Sequence, residues 1–175
     1  MTDLSPLAGL DSLRYLQISN APVSDLSPLD GLTSILSIGV SNTNVTDISP
    51  IGSIPSLASF GATNNGITDL SPLENHPNLD NLSLSSNEIA DLSPLATVSN
   101  LRSLSISDNP ITDLSPLSGL QSLRNLDVSR TDVSDLSPIF AAGSEVQTLR
   151  ARTLGGEPYD TLTTVEGIGA LTDLY

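Results

Sequence analysis

The 175-residue chain has no cysteine and no lysine, and only one histidine, His76. Without cysteine there is neither a disulfide framework nor a thiolate metal site, and one histidine cannot build the ligand or acid–base clusters of most metalloenzymes. Cations are scarce too: 6 arginines face 20 carboxylates, a formal charge of −14. A charge of that sign repels phosphate backbones, which argues against nucleic-acid binding. No apolar run approaches the roughly 18 residues of a membrane span, and the N-terminus lacks the basic and apolar regions of a signal peptide, so the chain reads as soluble. Aromatic residues make up 3 % of the sequence. The core must therefore be built from Leu, Ile and Val, a composition that suits a repeat better than an irregular globule.

Asp-Leu-Ser-Pro or a near copy recurs with its Asp at 3, 25, 47, 69, 91, 113 and 135, a spacing of 22 residues each time. Each copy is followed by aliphatic residues in fixed positions: Leu13, Leu16 and Ile18, then Ile35, Ile38 and Val40, and so on to Leu123, Leu126 and Val128. Three residues further on stand Ala21, Thr43, Asn65, Asn87, Asn109 and Thr131, and two beyond those an aliphatic residue from Val23 to Val133. This L-x-x-L-x-L-x-x-N-x-I pattern is a leucine-rich repeat.

A single coil of this length cannot bury its own apolar face, so coils stack and equivalent positions form apolar columns. The spacing predicts a right-handed α/β repeat solenoid. Its concave face is a parallel sheet with one short strand per coil, spaced about 4.8 Å apart, and its convex side carries one turn of 3₁₀ or α helix per coil. The first strand is expected near residues 16–18 and the first helical turn at 6–10. Asn65, Asn87 and Asn109 are expected to turn inward and satisfy backbone groups of neighbouring coils, a ladder that Ala21 interrupts. Within Asp-x-Ser-Pro, Ser is expected to cap the helical turn, Pro to occupy its first position, and Asp to form an Asx-type turn. A calcium ladder on the Asp column is rejected, because one carboxylate per coil supplies too few oxygens for an ion.

Asp-Leu-Ser-Pro-Leu followed by x-Gly-Leu-x-Ser-Leu resembles the 22-residue repeats of the bacterial internalin family, over about 150 residues. The resemblance implies a secreted or surface-attached bacterial protein, active in adhesion, whose concave face binds another protein, on a host cell or a bacterial surface. Relative to that family, the outward strand positions here are mostly small and polar, where receptor-binding members tend to carry aromatics.

After Pro138 the register needs one extra residue within 140–144. Residues 154–164 then lose all periodicity, and 165–175 resume the convex half of a coil, with Val165, Ile168, Leu171 and Leu174 matching Leu4, Leu7, Leu10 and Leu13. The expected organisation is seven coils over 1–153, an irregular insertion at 154–164, and a partial eighth coil that stops just before its strand. Polar capping units are lacking at both ends, so the chain reads as a piece of a larger protein.

Five of the six arginines, Arg102, Arg124, Arg130, Arg150 and Arg152, fall in the C-terminal half near the strand segments. With Asp108, Asp127 and Tyr159 of the insertion they are expected to gather at one end of the sheet, as a region combining the residue types that dominate protein interfaces. The alternative is that these arginines merely balance nearby carboxylates. His76, in Asn75-His-Pro-Asn, takes the place of the Leu10-type residue and reads as a turn residue. Placed on the helix side, it leaves the hydroxyls of the sheet without a catalytic base, so the expectation is a non-enzymatic protein with neither metal nor cofactor. The serine row from Ser19 to Ser129 keeps open a glycan- or ice-binding surface, or a purely structural spacer.

Overall fold

The computed structural model describes residues 3–140 and 145–151, together with the backbone of 173–174. Eight parallel strands form one sheet in sequence order. They are β1 (Tyr15–Ser19), β2 (Ser37–Ser41), β3 (Ser59–Gly61), β4 (Asn81–Ser83), β5 (Ser103–Ser105), β6 (Asn125–Asp127), β7 (Thr148–Arg150) and β8 (Asp173–Leu174). The register advances by one repeat per strand, Leu16 opposite Ile38, Phe60 opposite Leu82, Leu104 opposite Leu126. Asn125 pairs with Thr148, which places the one-residue insertion between β6 and β7. The fold is the leucine-rich-repeat solenoid.

Alternation within each strand turns every second side chain inward. Ile38, Phe60, Leu82, Leu104, Leu126 and Leu149 are all buried, and so are the columns from Val23 to Val133 and from Leu26 to Leu136 that line the rest of the coil. The first coil is the exception: Leu7, Leu13 and Leu16 are only partly buried and Leu10 is 46 % exposed. Coils in the middle are covered on both sides, whereas this one packs on a single neighbour.

The convex side carries one 3₁₀ turn per coil, at Ser5–Leu7, Ser27–Leu29, Ser49–Ser53, Ser71–Leu73, Ser93–Thr97, Ser115–Leu117 and Ser137–Phe140. The first turn lies one residue earlier than expected and is shorter. Capping also differs: no serine side chain caps its turn. Instead the Asp carboxylate accepts the serine backbone N–H at 2.8 Å in all seven copies. In a turn this short the serine N–H has no carbonyl partner of its own, and the Asp two residues back reaches it. Hydrogen bonds from the serine hydroxyl first, and from its N–H second, hold the Asp3, Asp25, Asp47, Asp91 and Asp113 carboxyls below the usual 3.8.

The interior asparagines bridge coils. Asn87 accepts the Ile67 N–H at 3.1 Å and donates to the carbonyls of Ala62 and Leu84, each at 2.9 Å. Asn109 does the same for Ile89, at 3.0 Å, and for Leu84 and Ile106. Asn65 accepts from the N–H of Val45 and from the hydroxyl of Thr43, and donates to the Val40 carbonyl at 2.8 Å. Where the following coil has threonine instead, the orphaned N–H folds back on its own coil: Val23 onto Ala21 O and Ile111 onto Asn109 O, both at 2.8 Å.

The end of the chain differs from expectation. Leu174 pairs with Leu149 in β8, so it occupies the Leu16 register position rather than that of Leu13, and the chain reaches an eighth strand. The Tyr159 segment and the 154–164 insertion lie outside the described residues.

Two outcomes follow. Asn87→Leu keeps apolar volume but strands buried backbone groups, so urea unfolding should show a loss of about 1–3 kcal/mol. Asp47→Ala should lower the unfolding midpoint at pH 7. Because the folded carboxyl is depressed, its contribution is complete above the ordinary value and vanishes as pH falls through the depressed one. The difference between Asp47→Ala and wild type should therefore narrow progressively as pH falls below 3.8.

Candidate binding face

The outward residues of β1–β7 form three rows, starting at Tyr15, Gln17 and Ser19. In the middle of the sheet the rows satisfy themselves. Ser85 shares hydroxyl hydrogen bonds with Ser105 at 2.8 Å and Ser107 at 2.9 Å, and Thr63 pairs with Ser83 at 3.1 Å. Gln17 lies flat across Gly39, where a Cβ would fall 2.1 Å from its Oε1, and its amide donates to Ser19. The outward row positions of β2–β5 hold only Ser, Gly, Thr and Asn and carry no charge.

The ends are different. At β7 the exposed Arg150 stands opposite Asp127 in the register, and with Ser103, Ser105, Asn125 and Thr148 it lines an open depression of about 320 Å³. Asp127 is turned toward its own strand end, accepting the Ser129 N–H at 3.0 Å. At the other end Tyr15 projects from β1 with 69 % of its surface exposed, beside Arg14. Among the described residues an exposed aromatic next to an arginine therefore occurs at the N-terminal end, whereas the sequence pointed only to the C-terminal group. The missed signal was legible: Tyr15 occupies an outward row position.

The expected arginine cluster separates into parts. Arg102 and Arg124 directly precede β5 and β6 and sit at the N-terminal edge of the sheet; Arg130 lies three residues beyond β6, at the opposite edge; only Arg150 is on the face. Arg152 lies outside the described residues. Two of the arginines are committed: Arg124 to Glu145 and to the Gln121 carbonyl, Arg130 in a two-pronged pair with Asp108. The hydrogen bonds and charge of Asp108 raise the proton affinity of Arg130 further. Arg102 and Arg150 have no ion-pair partner among the described residues.

Arg130 also has an unusual backbone. It occupies the left-handed region at φ 56°, in a column otherwise filled by Asn20, Asn42, Asn64, Ser86 and Asp108. Asn and Asp tolerate that conformation through local side-chain hydrogen bonds; arginine gains nothing there. Carboxylates lie at the sheet as well, with Asp80 before β4, Asp108 after β5 and Asp127 within β6, but the described arginines are confined to it. All five described arginines border or stand on the sheet, while the seven-fold Asp column lines the turn side.

No group of three or more His, Asp or Glu side chains suited to a metal ion occurs among the described residues, and no helix there is long and apolar enough to cross a membrane.

Comparison with known proteins agrees with this geometry. The family described as "Leucine Rich repeats (2 copies)" matches residues 55–97 and 99–139. An internalin (inlF) from Listeria monocytogenes superposes with a TM-score of 0.79 at 30 % identity, covering 95 % of this chain and 56 % of that one. An internalin C2 from the same organism gives 0.66 at 28 %, covering 86 % and 76 %. The functional domain of InlJ, also from Listeria monocytogenes, gives 0.75 at 22 %, covering 99 % and 35 %, a likeness of fold alone. The chain thus spans little more than half the length of the first of these structures. No curated protein matches the sequence.

Backbone and ion pair make opposite demands at Arg130, which a substitution can separate. Arg130→Asn should leave the thermal midpoint unchanged or raise it, since relief of the left-handed strain offsets an exposed ion pair. Arg130→Val, β-branched in the same conformation, should lower it. A fall with Asn equal to that with Val would mean the ion pair governs the site.

Proposed function

Since the chain is an internalin-like leucine-rich-repeat solenoid, we propose that it is a non-enzymatic protein-binding module of a bacterial surface or secreted protein, which engages its partner through the C-terminal part of the concave sheet. The observation that carries this reading is where the arginines stand. In a protein of net charge −14, every described arginine is placed at the sheet, and Arg150 stands on it without an ion-pair partner among the described residues. Arginine brings a large, pre-organised, multidentate contact surface and is enriched where interfaces concentrate their energy. The serine-lined middle offers small hydroxyls already bonded to one another. Arg130, kept in a conformation that disfavours it, lies at the same end.

A partner presenting carboxylates is steered to this end against the acidic bulk of the molecule, and salt slows that approach by screening it. Adhesion and extracellular placement rest on the internalin likeness. Arg130, Arg150, Arg102, Arg124, Asp108 and Asp127, with Arg152 and Tyr159, are the residues proposed to carry or border the contact.

The experiment is a pull-down from host-cell and bacterial surface extracts, followed by affinity measurement with the captured protein. Arg150→Glu should weaken binding at least tenfold and flatten its dependence on salt, while Ser83→Glu paired with Ser105→Glu should change it little. If the central pair abolishes binding and Arg150→Glu leaves it intact, the serine face is the site. A glycan array run beside it tests that face for sugars.

A further inference from the structure

Among the described residues His76 is the one ionisable side chain buried in the stack: it is 5 % exposed, in a column shared with Leu32, Ile54, Val98 and Leu120, all apolar and buried. Its Nε2 bonds to the Ile54 carbonyl of the preceding coil at 2.9 Å, and a carbonyl can only accept, so Nε2 carries the proton. Its Nδ1 is buried without a hydrogen-bond partner. That arrangement suits the neutral ring alone. Protonation would place a second N–H, and a full charge, where nothing accepts either.

The surroundings offer no compensation. Neither the turn below, from Ser49 to Ala58, nor the turn above, from Ser93 to Leu101, contains a titratable side chain. On its own turn the nearest is the exposed Glu74, and Asp47, Asp69 and Asp91 at the starts of the three stacked turns each accept a serine N–H. The forces on the imidazole are burial, which disfavours its charge, and then the Ile54 hydrogen bond; burial wins and holds its pKa below the ordinary 6.5. Around it the turn is tied to both neighbours, by Asn75 N–H to the Thr97 hydroxyl at 2.8 Å, by the Asn78 amide to Pro55 O at 2.8 Å and by the Asn100 amide to Pro77 O.

We propose that His76 is an acid-sensitive latch, which clamps the convex turn of the fourth coil to the third only while neutral and releases residues 73–78 from the stack when protonated. The released ring reaches water, where its charge is solvated; the sheet side of the same coil, with its own hydrogen bonds, stays paired. Since the folded ring resists protonation, the latch is at full strength above the ordinary histidine value and weakens as pH falls from there toward the depressed one.

The sequence makes the test clean, because His76 is the only histidine and no cysteine is present, so between pH 7 and 5.5 no other side chain of ordinary pKa changes charge. Amide hydrogen exchange on the whole chain at pH 7.0 and 5.5, corrected for intrinsic rates, should show protection at residues 73–78 falling by up to about tenfold per pH unit through the window, with β4 unchanged. His76→Leu, which restores the residue type of the column, should abolish that fall. A titration of the wild-type imidazole nitrogens by NMR supplies the second reading, independent of how the variant folds. A midpoint at or above 6.5, or an acid-induced loss of protection equal in His76→Leu and wild type, overturns the proposal.

Discussion

Everything in this molecule depends on backbone polar groups that one coil cannot satisfy alone. A turn of chain that leaves the sheet on its way to the convex side carries N–H and C=O groups into an apolar interior, and leaving them unpaired costs more than any single side-chain contact returns. Asparagine solves this because one short side chain both accepts and donates. Asn87 serves Ile67 of the coil before it, a carbonyl of that same coil and one of its own. Stacking is therefore a condition of folding as well as a source of buried apolar area, and the strict 22-residue register follows: a coil one residue longer presents its asparagine to the wrong group. The single extra residue before β7 comes after the last asparagine of the ladder, where Thr131 has already replaced it.

That dependence is also why so much of the fold was legible. A column repeated through the chain exposes its role by what every copy shares, and the strand positions, the inward leucines and the asparagine ladder are all properties of columns. What was missed belongs to single positions. The serine of Asp-Leu-Ser-Pro looks like a cap by residue type, but only the length of the turn decides whether its own N–H needs an acceptor, and in a one-turn 3₁₀ helix it does. The register of Leu174 depends on how many residues the aperiodic 154–164 segment consumes, and no pattern counts them. The arginines illustrate the same limit. Arg124 and Arg130 are close in sequence, yet one precedes β6 and the other follows it, so the strand between them sends them to opposite edges of the sheet.

The sheet face and the turn side divide the chemistry between them. On the turn side each Asp is engaged by its own serine, which fixes a negative column without using arginine. The described arginines are left to the sheet, where Arg124 and Arg130 spend their charge locally, while Arg102 and Arg150 have no ion-pair partner among the described residues. In the centre, hydroxyls that bond to each other have little to gain from a ligand that must first break those bonds. The uncharged centre is then spacing between two ends of different character, Tyr15 with Arg14 at β1 and Arg150 at β7.

A solenoid transmits forces only between neighbours, so a partner reaching from Arg150 to Tyr15 would span the coil whose convex turn His76 is proposed to latch. The geometry of Tyr15 relative to Arg150 is the accumulated geometry of the coils between them, and the fourth coil is one of these. A partner that grips only β5–β7 senses nothing of the turn at His76. A partner that also reaches Tyr15 requires every intervening coil to keep its shape, and for that partner the neutral imidazole against the Ile54 carbonyl becomes part of the binding site without touching it.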